Sequence, residues 1–188
     1  MVAHPKQATM TVEEYLALEE TDDIRHEYVH GYVYAMSGGT RGHDTIANNV
    51  RNTIYNHLGE GPCRVQGPDM RVRVNEEVYY YPDALVECDE ISSDSDSAVE
   101  TTTPRLVVEV LSQATEANDR GDKFADYQTL ATVEEYLLVN SRRRSVERYH
   151  RDARGVWTYQ RYAPNDTITL ETIGMNCPVG TLYRGTQL

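Results

Sequence analysis

The chain has 188 residues and a formal net charge of −12, from 30 acidic against 18 basic side chains. That length suits one domain, residues 1–188, with a single core that buries roughly 70% of the unfolded chain's surface and needs no structural staple. The charge excludes a protein that depends on non-specific attraction to polyanions, so any nucleic-acid function must rest on a local basic surface and on bound metal.

The opening MVAHPKQATM holds no apolar core of signal-peptide length, and residues 1–8 are expected to be disordered. No run approaches the roughly 20 apolar residues of a membrane span, so a cytoplasmic protein with no membrane partner is expected. Thr11-Val-Glu-Glu14 opens a helix, with Thr11 as cap and Glu14 reaching back to it. Val12, Tyr15, Leu16 and Leu18 or Glu19 sample one face, and the helix should stop near Thr21-Asp22-Asp23. Arg25 to Met36 alternates and is rich in Tyr and Val, which predicts two short strands bending at His30-Gly31. After the Ser37–Thr40 loop, Ile46, Val50, Ile54 and Leu58 recur at i+4 steps over a helix from about His43 to Leu58, ended by Gly59, Gly61 and Pro62.

Arg64–Gln66 and Met70–Val74 read as strands, and Asn75–Glu77 as a turn. Val78 to Val86 reads as another strand, with Pro82 marking an edge, a bulge or an interruption. Residues 87–102 are acidic and Ser-rich, and are expected to form a mobile surface loop. Arg105 to Leu111 is a nearly continuous apolar run, as in a central buried strand. A third helix is expected from Asn118 to Leu130, with Phe124, Tyr127 and Leu130 on one face. Glu134–Asn140 and Ser145–His150 form a hairpin around Arg142-Arg143-Arg144, and Val156–Arg161 and Thr167–Leu170 are further strands. The hexapeptide TVEEYL occurs at Thr11 and again at Thr132; its flanks point to helix in the first copy and strand in the second. The order of elements predicts a mixed sheet with helices on its faces. Cys63, Cys88 and Cys177 are odd in number and show no Cys-x-x-Cys spacing, which reads as reduced, buried thiols. The fourteen tyrosines suit half-buried sheet packing, with base stacking as a rarer use.

Three groups carry the chemistry. Asp83 follows Pro82 in an apolar strand, although a Pro-Asp pair commonly marks only a turn. Glu109 places a charge in VVEVL, where a buried carboxylate must be paired, protonated or on a metal. Its plain alternative is a solvent-facing side chain or a pair with Arg105. Lys123 lies in a helical pattern, where Asp119, Asp122 or Asp126 is an ordinary ion-pair partner. Two converging carboxylates with an ammonium beside them are a minimal set for metal-assisted phosphodiester hydrolysis.

The blocks MTVEEYLAL at Met10, RHEYVHG at Arg25, GHDTIANNV at Gly42, GPDMRVRV at Gly67, YYYPDALVECDE at Tyr79, PRLVVEVLSQAT at Pro104, DRGDKFADYQTL at Asp119 and VEEYLLVNSRRRSVERY at Val133 resemble, in order and spacing, the Uma-type endonuclease-like family of the PD-(D/E)XK superfamily. The resemblance implies an α+β, restriction-endonuclease-like fold: a central mixed β-sheet flanked by helices, with extra C-terminal strands. It implies that Asp83 and Glu109 ligate Mg²⁺ or Mn²⁺, that Lys123 replaces the superfamily's strand lysine (Leu111 stands at that position), and that Glu27 and His43 complete the site. His30-Gly31-Tyr32 departs from the Asp-Gly-Glu usual in similar proteins. The implied function is a metal-dependent endonuclease acting on DNA, as a homodimer suited to cutting two strands. Arg142, Arg143, Arg144 and Arg148 are candidate phosphate contacts, with an ordinary solvated surface as the alternative. Two rival readings are a degenerate nuclease fold that binds nucleic acid or protein, and a self-associating structural protein.

Overall fold

The computed structural model describes residues 9–36, 38–88 and 97–188. Helix α1 (Val12–Thr21) begins with the expected reciprocal cap, in which Thr11 Oγ1 accepts from Glu14 N–H and the Glu14 carboxylate accepts from Thr11 N–H. It leads into the hairpin of β1 (His26–Val29) and β2 (Tyr32–Ala35), turned by His30 and Gly31, both at positive φ. Helix α2 (Arg41–Leu58) starts two residues before the expected His43 because Thr40 caps it through His43 N–H.

Next come β3 (Arg64–Gln66), β4 (Arg71–Asn75), β5 (Val78–Tyr80), β6 (Ala84–Glu87), β7 (Glu100–Thr101) and β8 (Leu106–Leu111). Helices α3 (Glu116–Arg120) and α4 (Asp122–Thr129) then carry the chain to β9 (Glu135–Asn140), β10 (Val146–Arg151) and β11 (Trp157–Tyr162). The chain closes with β12 (Thr167–Leu170), β13 (Met175–Pro178) and a short α5 (Val179–Leu182).

Among the described residues a six-stranded mixed sheet, β11-β10-β9-β8-β6-β3, lies beside a five-stranded sheet, β2-β1-β5-β4-β7, and β12-β13 form a separate hairpin. The run Val78–Val86 is therefore not one strand. Pro82 has no N–H for a ladder, and the chain crosses there from the smaller sheet to the larger. Strands β8 and β9 are parallel, joined through α3 and α4, while β6 and β8 are antiparallel. The expected single third helix breaks at Gly121, whose backbone (φ −113°, ψ −105°) leaves the helical region.

Period-two alternation divides the larger sheet into two faces. Leu106, Val108 and Val110 of β8 pack with Ile46, Val50 and Ile54 of α2. Val107 and Leu111 pack the other way, with Tyr80, Tyr127 and Tyr136, between the two sheets and α4. Glu109 belongs to that second face, so a carboxylate interrupts an apolar layer. Aromatic ring pairs join helices to sheets and strands to one another, such as Tyr15 of α1 stacked on Tyr28 of β1 at 5.0 Å and Phe124 of α4 stacked on Tyr136 of β9 at 4.9 Å, and they use the tyrosines as packing.

One expectation is overturned here. Cys63 and Cys88 form a disulfide. The β3–β6 register pairs Arg64 with Glu87, so the residues just outside them face each other across antiparallel strands, a proximity that a separation of 25 residues hides in the sequence. Cys177 is free and buried, as expected. The stretch expected to be a loop at 87–102 has structured ends: Glu87 closes β6, and Glu100–Thr101 pair in parallel with β4. Residues 1–8 and 89–96, where disorder and loop mobility were expected, lie outside the described residues. No helix among the described residues is long and apolar enough to cross a membrane.

Candidate active site

Asp83 stands where the chain enters β6. Its Oδ2 accepts from Val110 N–H at 2.7 Å, which ties it to the residue after Glu109 on the neighbouring strand. The Asp83 carbonyl accepts from Arg51 of α2 at 3.0 Å. His43, on the first turn of α2, brings Nε2 to 3.5 Å from Asp83 Oδ2. A Cβ at Gly39 would come within 2.7 Å of the His43 ring, so the absence of a side chain at Gly39 leaves room for the imidazole. The hydrogen bond with Asp83 raises the His43 pKa, and burial opposes this only in part.

On the other side, Lys123 Nζ lies 2.7 Å from Glu27 Oε1 and 2.8 Å from Glu109 Oε1. Both Lys123 and Glu109 are almost fully buried, 3% and 4% exposed. The Lys123–Glu109 contact is an ion pair by distance, yet Glu109 Oε1 receives no aligned hydrogen bond among the described residues. Lys123 donates to Glu27 at 2.7 Å, and its contact with Glu109 lacks that alignment. Burial pushes Glu109 well above the usual carboxylate range, and Lys123 offsets only part of that. Burial alone would lower the lysine, but Glu109 and Glu27 hold it well above its ordinary value, so it keeps its proton. The Tyr80 ring lies 5.1 Å from the ammonium and adds a cation–π contact. Glu27 also accepts, at 3.4 Å, from Tyr81 N–H.

The five residues Glu27, His43, Asp83, Glu109 and Lys123 thus come from β1, α2, the start of β6, β8 and α4 and meet in one place. Two of the ordinary ion pairs weighed for them do not form. Arg105 pairs with Glu134 rather than with Glu109. Asp126 takes the Tyr80 hydroxyl at 2.6 Å rather than Lys123. The arginines are different. Arg148 is buried between Glu135 and Glu171 and is corrected from a phosphate contact to a structural ion pair. Arg142 is engaged by Glu116, while Arg143 and Arg144 sit exposed in the β9–β10 turn.

Sequence reasoning missed Asp119 as part of the cluster. It is 3% exposed, and burial raises its pKa, partly offset by Lys123. Its position four residues before Lys123 signals a shared helical face, but a surface pair reads the same way. Arg51 was also missed; it lies eight residues after His43, which is the only signal.

Four acids, Glu27, Asp83, Glu109 and Asp119, surround one ammonium and one imidazole. Among the described residues no group of three or more metal-ligating side chains stands together. Two carboxylates with a backbone carbonyl are what a hard, partly hydrated cation uses, and the unspent acceptor on Glu109 fits such an ion.

The comparisons agree with this architecture. The Uma2 family, described as "Putative restriction endonuclease", matches residues 12–180. An uncharacterized Synechocystis protein, slr1290, is 39% identical over 189 residues, covering 98% of both chains. A second from the same organism, sll1609, is 30% identical over 149 residues, covering 79% of this chain and 84% of its own. Among solved structures, a "putative nuclease belonging to DUF820" from Anabaena variabilis superposes with a TM-score of 0.73 at 14% identity, over 93% of this chain and 97% of that one. That likeness bears on the fold, a mixed α+β arrangement of sheets flanked by helices. The chain belongs to the Uma2 family of restriction-endonuclease-like proteins.

Proposed function

We propose that the protein is a metal-dependent endonuclease that hydrolyses phosphodiester bonds in DNA. One observation carries the reading: Asp83 is hydrogen-bonded to Val110 N–H, one residue from Glu109, and Glu109 shares the Lys123 ammonium with Glu27. Family membership supports the same chemistry.

Asp83, Glu109 and the Val110 carbonyl would hold Mg²⁺ or Mn²⁺. Such an ion supplies Lewis acidity toward a phosphoryl oxygen and lowers the pKa of water at the site. The protein's own groups do the rest. Lys123 fixes Glu109 and Glu27 in place and presents a permanent positive charge toward negative charge that builds on the phosphate. His43 holds a proton on the Asp83 side and sets that carboxylate's orientation. Tyr81 N–H, at 3.4 Å, steadies Glu27. The buried setting keeps these charges strong because little water screens them. Two copies related by a two-fold axis would offer one site to each strand of a duplex.

The test is nicking of supercoiled plasmid in Mg²⁺ or Mn²⁺. Asp83→Ala and Glu109→Ala should each reduce the rate by about 10²-fold or more, with melting curves showing both variants folded. A folded wild type that neither nicks DNA nor gains stability from divalent cations would sink the enzyme and favour a binding module.

A further inference from the structure

We propose that Arg51 is a substrate-binding residue that holds a backbone phosphate of the nucleic acid beside Asp83. The inference rests on the nuclease reading and assigns a residue to its substrate side.

Helix α2 places His43, Ala47 and Arg51 at successive i+4 steps, so they share one stripe. The stripe begins at the Asp83 carboxylate, which His43 approaches at 3.5 Å, and ends at the Asp83 carbonyl, which accepts from Arg51 at 3.0 Å. Arg51's other partner is the Asn48 side-chain oxygen. Both acceptors are neutral. No carboxylate lies within ion-pairing distance of Arg51 among the described residues.

Other arginines of this acidic chain sit against a carboxylate, although Arg151, which donates to the Leu130 and Ala131 carbonyls, also has neutral partners. Arg71 and Arg73 pair with Glu100, Arg105 with Glu134, Arg120 with Glu147, Arg148 with Glu135 and Arg154 with Asp152. Arg51 keeps its charge unneutralised beside a cluster of four acids, yet none of them takes it. It is half-buried, and its stem packs at Gly67, where an added Cβ would lie 3.4 Å from Arg51 Cδ. The guanidinium is therefore fixed in position before any ligand arrives. A guanidinium offers five donors in a planar fork matched to phosphate oxygens, and two acceptors leave donors free. In an acidic protein, a held cation beside Asp83 supplies the local attraction that the net charge withholds.

The competing role is a structural anchor, in which Arg51 only steadies the Asp83 turn. Salt dependence separates the two, because each phosphate contact contributes about one unit to the slope of log affinity against log salt. The experiment is fluorescence-anisotropy titration of a 20-base-pair duplex with the full chain in Ca²⁺, over a KCl series, for wild type, Arg51→Gln and Arg51→Lys. Plasmid nicking in Mg²⁺ is measured alongside. The proposal expects Arg51→Gln to lower the slope by about one unit and to weaken binding about tenfold, while Arg51→Lys keeps the slope. If Arg51→Gln binds with the wild-type slope, or if Arg51→Lys loses it as fully as Gln does, Arg51 is an anchor and the proposal is overturned. Should Arg51→Gln not fold, Arg51→Met takes its place, with the same two outcomes for the slope. A wild type that nicks plasmid with an unchanged slope in the variants overturns Arg51 alone. A wild type that neither binds nor nicks removes the nuclease reading and Arg51 with it.

Discussion

Two buried glutamates on adjacent strands of the same sheet meet opposite fates. Glu135 of β9 is fully enclosed and its oxygens are well used: Arg148 donates at 2.6 Å, and the backbone N–H groups of Glu171 and Thr172 donate at 3.0 and 3.3 Å. Glu109 of β8 has one lysine shared with Glu27, and an Oε1 with no aligned hydrogen bond. The first is a closed structural pair that ties the 171–173 turn to the sheet. The second is an open charge among other acids. Burial does not by itself single out a carboxylate for chemistry; incomplete satisfaction beside a like-charged neighbour makes Glu109 the candidate.

The largest expected effect breaks or upholds that contrast directly. Glu135→Ala removes the buried partner of Arg148, leaving it only the exposed Glu171, and should lower stability by about 3–5 kcal/mol, read by urea unfolding. Glu109→Gln removes an under-compensated charge, leaves Lys123 on Glu27, and should change stability far less while stopping cleavage. Equal destabilisation by both would mean that Glu109 is as structural as Glu135.

Between these extremes lies the Cys63–Cys88 bridge. It closes a segment that contains β4, β5 and Asp83. Reduction, or Cys63→Ser, should lower stability by about 3 kcal/mol through the freed loop. Asp83 keeps its ties to Val110 and Arg51, so the reduced protein should still nick DNA below its melting temperature. Loss of nicking in a reduced but folded sample would make the bridge part of the site.

The smallest effect is a slope with pH. Glu109 titrates above the ordinary carboxylate value of 4.5, and His43 above the ordinary 6.5. Both are raised, so the folded state binds these protons more tightly than the unfolded state. Their contributions are complete below 4.5 and 6.5 and are lost as pH rises through the raised values. Stability should therefore decline with rising pH over that window, and Glu109→Gln and His43→Gln should each flatten part of it. Urea midpoints at stepped pH are the readout; an undiminished slope in both variants would place its origin elsewhere.

Much of the architecture is legible in the residues because it depends on local chemistry. The Thr11–Glu14 cap, the four-residue spacing of Ile46, Val50 and Ile54, and the apolar run around Glu109 act within a turn or a strand, and each appears where its pattern predicts. Asp83, Glu109 and Lys123 stand out because each sets a charge against such a pattern or belongs to a recognisable block. The arginines of the β9–β10 hairpin mislead, because a sequence does not show which of them meets an acid. Arg148 meets two, through residues 13 and 23 positions away.

The repeated TVEEYL draws the line between the two kinds of information. By itself the sequence determined the periodicities, the caps, the turn at His30-Gly31 and the identity of the charges, since these follow from neighbours a few bonds apart. The same six residues are a helix start at Thr11, where Glu14 bonds back to the cap. At Thr132 they enter a buried parallel strand, where Glu134 pairs with Arg105 and Glu135 with Arg148. Only the tertiary structure decided that second outcome, along with the Cys63–Cys88 bridge, the split at Pro82 between two sheets, and the meeting of Glu27 with Lys123 across 96 residues. Each depends on which distant segments lie side by side, and that is set by burial of the whole apolar surface rather than by any local preference.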